Sequence, residues 1–350
     1  MAQLDSDLGV NGRAPTGSPS VTVAVPMLNE LGAIEHCLDS FEAQDYPTDL
    51  MEVLVIDGGS TDGSREYVEE RATTQPWIRV VDNPVGSAAA AFNIGTFDGR
   101  GDIVFLFSSH GVPESDFVSR SVKVLLETGA TGVGGRYLHI GTDPKSTAIG
   151  AAMVSPFGMA SAHRFATERQ DVDTISHPGY WRQALVDVGG FDESLARNSD
   201  YEINIRLRQA GHRLVFDPSI ESIYRPRPNL ERLAKQFWHY GRWKAHVARQ
   251  HPADVKARHL VAPAFAAFVA STPILAAFGP GRKILAGTAL TYGALTAVAT
   301  QKAASGHPAP VSKPTLAAAF PTMHLSWGFG VLTSVAQFLR PRSRTRKGRS

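Results

Sequence analysis

Cysteine is almost absent from this chain of 350 residues: Cys37 is the only one. That excludes a disulfide framework and any cysteine-based zinc site, and it suits a reducing compartment. Acid is missing from the whole C-terminal region. From residue 259 to residue 350 there is no Asp or Glu, while ten Lys or Arg occur there. Residues 1–258 hold 25 basic and 33 acidic side chains, a net of −8, so the overall +2 averages two chemically different regions. The opening residues 1–20 (MAQLDSDLGVNGRAPTGSPS) contain no apolar run. They lack the core of a secretory signal peptide and read as a disordered leader. With 43% hydrophobic and 19% charged residues, the rest is no disordered polymer, and its length suits about two domains.

From residue 21 the pattern alternates. Short runs rich in β-branched residues at 21–28, 52–56, 78–81 and 103–107 predict strands buried on both faces. Helical stretches fall between and after them, at 30–41, 61–72, 87–96 and 113–126. Asp62 is placed to cap the second of these, with Arg65 and Glu66 on its outer side. Such alternation predicts an α/β domain with a mostly parallel, Rossmann-like sheet. Ligands of such sheets bind beyond the carboxyl ends of the strands, which directs attention to residues 26–30, 57–63 and 108–111. A helix at 199–209, closed by Gly211, and a strand at 213–216 follow. Residues 230–250 form a basic amphipathic helix. Leu230, Leu233, Phe237, Tyr240 and Val247 share one side, and that face either lies at a membrane surface or packs on the protein.

Three apolar stretches without charge, 260–278, 284–300 and 316–339, approach the ~20 residues needed to cross a bilayer. They predict membrane helices within 259–339. The tail 340–350 (RPRSRTRKGRS) carries six basic residues and reads as cytoplasmic. If the catalytic domain is cytoplasmic too, the crossings are even in number. The last stretch, weakened by Pro321, His324, Gly328 and Gly330, then lies in the interface. No basic aromatic platform accompanies the tail, which argues against nucleic acid as a partner.

Two strings close the first two strands: Val23-Ala24-Val25-Pro26-Met27-Leu28-Asn29-Glu30, and Val53-Leu54-Val55-Ile56-Asp57-Gly58-Gly59-Ser60-Thr61-Asp62-Gly63. An acid at a strand tip can accept hydrogen bonds from ribose hydroxyls or a base N–H, and glycines let the chain approach closely. Together, at this spacing, the strings resemble the opening of family 2 glycosyltransferases of the GT-A fold, which bind nucleotide-activated sugars. The resemblance implies that Pro26, Asn29 and Glu30 shape the base pocket and that Asp57 contacts the nucleotide. Asn83-Pro84-Val85-Gly86 and Asn93-Ile94-Gly95 are similar to the family's donor-binding helix, which brings in Gly86 and Asn93. An acceptor half is implied by residues 149–173, Gly189-Gly190-Phe191-Asp192-Glu193, and the run from Arg197 to Glu202 with Arg206. More narrowly, Ser155-Pro156-Phe157-Gly158, Asn198-Ser199-Asp200-Tyr201-Glu202-Ile203-Asn204 and His324-Leu325-Ser326-Trp327-Gly328-Phe329-Gly330 resemble the succinoglycan-type exopolysaccharide glycosyltransferases. On this likeness 21–228 is the GT-A domain, 229–258 the interfacial helix and 259–339 the membrane helices.

The resemblance makes Asp200 the catalytic base, taking the acceptor hydroxyl's proton while the nucleoside diphosphate leaves from the opposite side, which inverts configuration. The alternative role of Asp200, offsetting the helix dipole and capping 199–210, is compatible with this. Glu202, Arg206, Arg242 and Trp243 are candidates for contact with acceptor or diphosphate. Where the family carries Asp-x-Asp at the fourth strand's end, this chain reads Ser108-Ser109-His110. The family implies a divalent metal, Mg²⁺ or Mn²⁺. The missing carboxylates argue against it and leave Ser108 and His110 in the donor site, His110 as the one metal ligand. If the metal is lost, an Arg or Lys must meet the diphosphate, with Arg136 and Arg206 as candidates. The partners implied are a nucleotide-sugar, a polyprenyl-linked saccharide and membrane lipid, at the cell membrane, in extracellular or envelope polysaccharide synthesis. Two alternatives stay open: a catalytically silent membrane subunit that binds a nucleotide-sugar, and a transferase acting on polyprenyl phosphate itself.

Overall fold

The structure, a computed structural model, describes residues 17–158 and 166–339. Strands β1 (Val21–Met27), β2 (Met51–Asp57), β3 (Ile78–Asp82) and β4 (Ile103–Leu106) are parallel, in the order β3-β2-β1-β4. Their alternate residues feed two apolar layers. Val23, Val25, Val53 and Val55 face helices α1 (Ala33–Glu42), α2 (Ser64–Thr74) and α4 (Phe117–Thr128) through Leu38, Phe41, Val68 and Leu125. Ala24, Leu54, Ile56 and Val104 join Ala89 and Ala91 of helix α3 (Ala88–Phe97) on the other side. Helix α3 lies so close to β1 that a Cβ on Gly95 would sit 2.3 Å from that of Ala24. The run of alanines in α3 serves the same close packing.

Beyond β4 the sheet becomes mixed, which corrects the expectation of a mostly parallel one. Strand β8 (Gly179–Trp181) runs antiparallel on β4, and β6 (Gly132–His139) runs antiparallel on β8. Strand β9 (Leu214–Tyr224) is parallel to β6, with β5 (Val112–Pro113) and β7 (Gln170–Asp171) antiparallel on it. Three of these strands have only two or three residues, too few for any periodicity to announce them. Strand β9 also outruns the expected 213–216, because Asp217-Pro218-Ser219 makes an irregularity within the strand instead of ending it. There the register of β6 shifts between Gly134 and Arg136, and a Cβ on Gly135 would lie 1.9 Å from the Ile220 carbonyl oxygen. Helices α6 (Arg182–Asp187) and α7 (Ser199–Gln209) complete this unit, which takes in the described residues up to 142 and 166–226.

The second unit gathers residues 143–158 and 227–339. Helix α5 (Pro144–Met153), started by the Asp143 capping box, sits with α8 (Leu230–Gln250), α9 (Arg258–Ala270), α10 (Thr272–Ala276), α11 (Gly279–Ser305) and α12 (Lys313–Leu339). Leu233, Phe237 and Val247 of α8 are buried. Farther along α8, the Phe338 ring of α12 meets His246 at 4.9 Å and Arg249 at 4.9 Å. Packing, the second of the two readings of this helix, therefore accounts for its apolar side. His324 of α12 ties three segments together: its Nε2 donates to the Phe157 carbonyl at 2.7 Å, which leaves Nδ1 to accept from the Tyr292 hydroxyl at 2.8 Å.

Among the described residues no helix is long and apolar enough to cross a membrane. That corrects the expected membrane-crossing helices. The stretch 260–278 is broken into α9 and α10 at Ser271, and α11 and α12, 27 residues each, dilute their apolar content with Ala, Gly and Thr. Residues 1–16 of the leader and the basic tail 340–350 lie outside the described residues.

Substituting Gly135→Ala pushes a methyl into the β9 backbone and should cost about 1–3 kcal/mol. Urea unfolding of the variant checks this; an unchanged midpoint would show that the β6–β9 ribbon relaxes freely.

Candidate active site

The tips of β1 and β2 are laced into one surface. The Asn29 N–H donates to Ser60 Oγ at 2.9 Å, the Glu30 N–H to Ser64 Oγ at 2.9 Å, and the Leu31 N–H to Asp62 Oδ2 at 3.1 Å. In return Thr61 N–H donates to Asn29 Oδ1 at 2.8 Å. Asn29 adopts φ 54°, a left-handed conformation that Asn tolerates. Its side chain is thus a strut between the two loops. Asp62 does bind the first turn of α2, through Ser64 N–H at 3.0 Å, although Gly63 occupies the capping position.

Asp57 ends β2 with its side chain 1% exposed. Oδ1 accepts from Ser60 Oγ at 2.6 Å, and Oδ2 from Gly59 N–H at 3.3 Å and from an Arg65 guanidinium nitrogen at 3.3 Å. Arg65, expected on the outer side of α2, instead turns back to the strand tips and pairs with Asp82 at 2.6 Å. A carboxylate pulls it inward, because a buried charge must be partnered. The Asp57 carbonyl accepts from Asn83 N–H at 2.7 Å, and Asn83 Oδ1 accepts from Gly86 N–H at 3.1 Å. Gly86 thereby leads into α3, capped by Ser87. Asn93 of α3 is committed elsewhere. Its amide donates to the Phe191 carbonyl at 3.0 Å and to Glu193 at 2.8 Å, and accepts from Phe191 N–H at 2.6 Å. It braces the Gly189–Phe191 turn against α3.

Past β4, Gly111 N–H closes a turn on the Ser108 carbonyl at 2.9 Å. Ser109 is buried and His110 exposed. His110 Nδ1 stands 3.6 Å from Glu30 Oε1, so the β1 and β4 tips meet through this pair, while Pro26 sits partly buried in the first of them. Behind them His177 stacks 4.2 Å from Phe107, its Nδ1 2.8 Å from Ser222 Oγ, and its backbone N–H donates to Tyr137 Oη at 3.2 Å. Burial, and then the charge of nearby His110, push its pKa down to about 3.

Asp200 lies exposed in the first turn of α7, whose N-terminus carries no side-chain cap. One turn later on the same face, Asn204 accepts from the buried Tyr180 hydroxyl at 2.6 Å and donates to Thr174 Oγ1 at 3.0 Å. Burial and then the Asp200 charge raise the Tyr180 pKa. His110 and Asp200 therefore act on opposite ends of one segment, residues 177–180, which runs beside the end of β4. Arg206 is locked. It forks onto Glu202 at 2.6 and 2.7 Å and donates to the Val188 and Gly190 carbonyls, each at 2.6 Å. Its expected diphosphate contact is corrected on this ground: the guanidinium is spent on a buried carboxylate and two carbonyls. Arg242 and Trp243 belong to the helical unit, where Arg242 lies 4.8 Å over the Trp238 ring and Trp243 4.7 Å from His246.

The residues at the β4 tip fit a resident cation poorly. Two hydroxyls, one imidazole and the Glu30 carboxylate stand there, and among the described residues no group of three or more His, Cys, Asp or Glu is arranged to hold a metal ion. Mg²⁺ seeks carboxylate oxygens in octahedral array, and imidazole suits Mn²⁺ better. His177 and Tyr180, which stand beside these groups, carried no sequence signal beyond their residue types, while Asn204 ended a motif quoted above and Arg65 was expected to face outward.

Residues 22–186 match the family model described as Glycosyl transferase family 2. The succinoglycan biosynthesis protein ExoA of Rhizobium meliloti (strain 1021) is 31% identical over 331 residues, covering 92% of this chain and 97% of that protein. A Methanococcus voltae enzyme, named a dolichyl N-acetyl-alpha-D-glucosaminyl phosphate 3-beta-D-2,3-diacetamido-2,3-dideoxy-beta-D-glucuronosyltransferase, is 26% identical over 66% of this chain and 74% of its own length. Among solved structures, the mannosyltransferase PcManGT of Pyrobaculum calidifontis, in complex with GDP-Man and Mn²⁺, superposes with a TM-score of 0.62 at 22% identity, covering 94% of this chain and 92% of that one. The chain belongs to glycosyl transferase family 2, with a GT-A-like fold, and is a glycosyltransferase.

The depressed pKa of His177 makes a pH prediction. Neutral His177 contributes its full stability above about pH 6.5, and that contribution is lost as the pH falls towards 3, because the unfolded chain then binds a proton that the folded one refuses. Urea unfolding between pH 7 and 4 should show stability falling, with a slope from this group approaching ~1.4 kcal/mol per pH unit. His177→Gln should flatten the profile, and equal slopes would disprove the assignment.

Proposed function

We propose that this chain is an inverting glycosyltransferase that moves a sugar from a nucleotide-sugar to a lipid-linked saccharide, working at a membrane in the synthesis of an extracellular or envelope polysaccharide. The observation that carries the reading is Asp200: an exposed carboxylate at the head of α7, on the helix face anchored by Asn204 and Tyr180 beside the end of β4. The buried Asp57 and the Glu30–His110 pair line the strand tips as the donor side. In the reaction, Asp200 takes the acceptor hydroxyl's proton as its oxygen attacks the anomeric carbon. The bond from that carbon to the diphosphate oxygen breaks, and its electron pair leaves with the nucleotide. The names of the relatives, succinoglycan biosynthesis in one and a dolichyl-linked sugar in another, support a glycan acceptor carried on lipid.

The second unit supports the membrane part. Ile274, Phe278, Leu290 and Val298 are between 61% and 75% exposed, in a stretch without one acid. Exposed apolar surface of this kind marks an interaction site, and basic flanks suit anionic headgroups. The helices lie in the interface without crossing it, and the domain that carries Asp200 faces the cytoplasm with its nucleotide-sugars.

Two experiments test the proposal. A donor panel with a lipid-extract acceptor and mass readout should reveal one transferred sugar, and Asp200→Asn should lower its rate at least ~100-fold. Wild-type rates in that variant would remove Asp200 from the chemistry, while nucleotide binding without turnover on any donor would assign the silent-subunit reading instead. Sedimentation with phosphatidylglycerol vesicles should retain the protein, and Leu290→Glu with Val298→Glu should release it. Equal sedimentation of the variant would exclude this face as the lipid contact.

A further inference from the structure

We infer that His177 is a positioning residue for the donor side of the site: its ring, stacked on Phe107, sets the height of the Ser108–Gly111 turn. The inference rests on the reading of the strand tips as the donor side. Among the described residues, three that are not glycine have a positive φ: Asn29, Asn198 and His177. Asparagine tolerates this conformation because its short amide can bond locally. His177, at φ 40°, carries a bulkier ring and precedes Pro178, which favours an extended backbone in the residue before it. A residue persists in such a conformation only where its surroundings over-determine it.

The chain on both sides of His177 has little room to shift. A Cβ on Gly134 of β6 would lie 2.8 Å from the Ser176 carbonyl oxygen, and the Pro178 carbonyl accepts from Leu106 N–H of β4 at 2.9 Å. The backbone N–H of His177 donates to Tyr137 Oη at 3.2 Å, and Nδ1 pairs with the buried Ser222 hydroxyl at 2.8 Å. These contacts hold the imidazole at a 30° tilt over the Phe107 ring, 4.2 Å between centroids. Phe107 in turn supports the turn that follows it. A Cβ on Gly111 would lie 2.6 Å from its ring, so the backbone that closes on the Ser108 carbonyl rests directly against it. Phe41 and Phe117 meet the same ring edge-on at 5.1 and 5.6 Å. His177 completes this setting from the side of the β6–β9 ribbon. Without the imidazole, Phe107 can move into the vacated space, and the turn that bears Ser108 and His110 follows it. A ligand-binding turn needs placement to within about 0.5 Å. The two contacts of the ring therefore have separate effects: the bond to Ser222 holds the fold, and the stack on Phe107 places the turn.

Two substitutions separate these effects, read on the full-length protein by urea unfolding and by calorimetry with UDP, GDP and dTDP, with and without Mn²⁺. His177→Asn tolerates the left-handed backbone, keeps a polar atom for Ser222 and removes the ring. It should weaken binding of whichever nucleotide the wild type takes by about 10-fold. His177→Phe keeps the stack but leaves the buried Ser222 hydroxyl unbonded, so its unfolding midpoint should fall below that of His177→Asn. Its nucleotide affinity should nevertheless stay within about twofold of wild type. A merely structural His177 gives the opposite order, with affinity following stability in both variants. The inference is overturned if His177→Asn binds as the wild type does, a result that decides alone if His177→Phe does not fold. It is equally overturned if His177→Phe loses as much affinity as His177→Asn. Failure of the donor-side reading looks different: the wild type then binds none of the three nucleotides in either condition, and the inference falls with it.

Discussion

A carboxylate buried at the end of a parallel strand is costly unless the chain around it supplies donors, and much of the first unit is arranged around that requirement at Asp57. The Asp57-Gly58-Gly59-Ser60 turn bends backbone N–H groups and a hydroxyl onto it, and Arg65 reaches back from α2 to complete the set. The same turn then has Ser60, Thr61 and Asp62 free to bind the β1 loop, which fixes Asn29 and Glu30. Glu30 in turn meets His110. One buried charge thus organises three strand tips, and the surface they share is the one where a nucleotide is bound in this reading of the chain.

At the head of α7 the organising group is neutral. Tyr180 is buried on β8 and gives its proton to Asn204, so α7 is held against the sheet by a hydrogen bond that neither partner can surrender without leaving a buried polar group unmade. The Glu202–Arg206 fork secures the next turn of the same helix to the Gly189–Phe191 corner. With its helix fixed at two levels, Asp200 projects from a rigid support, as the base proposed above requires. Ser108, Ser109 and His110 lie at the other end of the same segment, residues 177–180.

The helical unit solves a different problem. Its apolar residues are too many for the core they build, and those on α10 and α11 are left at the surface. The residues between them are Ala, Gly and Thr, which pack helices closely but add little hydrophobicity. That combination makes helices that associate well with one another, present an apolar side, and yet fall short of a bilayer-crossing helix.

The four parallel strands, their helices and the two strand-tip motifs were legible in the sequence, because a strand buried on both faces must be a continuous apolar run and a tip loop must carry small and acidic residues. Asp57 and Glu30 stood out for the same reason, whereas Asp200 stood out only through the resemblance to the family. Strands β5, β7 and β8 were not legible, since a two- or three-residue strand has no period, and the continuation of β9 through Asp217-Pro218-Ser219 was masked by a string that ordinarily makes a turn. The fate of the arginines was decided only in three dimensions. Arg65 and Arg206 are alike as letters, but one reaches Asp57 and Asp82 across the strand tips, and the other adds the Val188 and Gly190 carbonyls to its helix neighbour Glu202. Local sequence sets which segments form. Beyond an i,i+4 neighbour on its own helix, the partners of a long charged side chain are set by whatever the fold brings within reach, and that is a property of the tertiary structure alone.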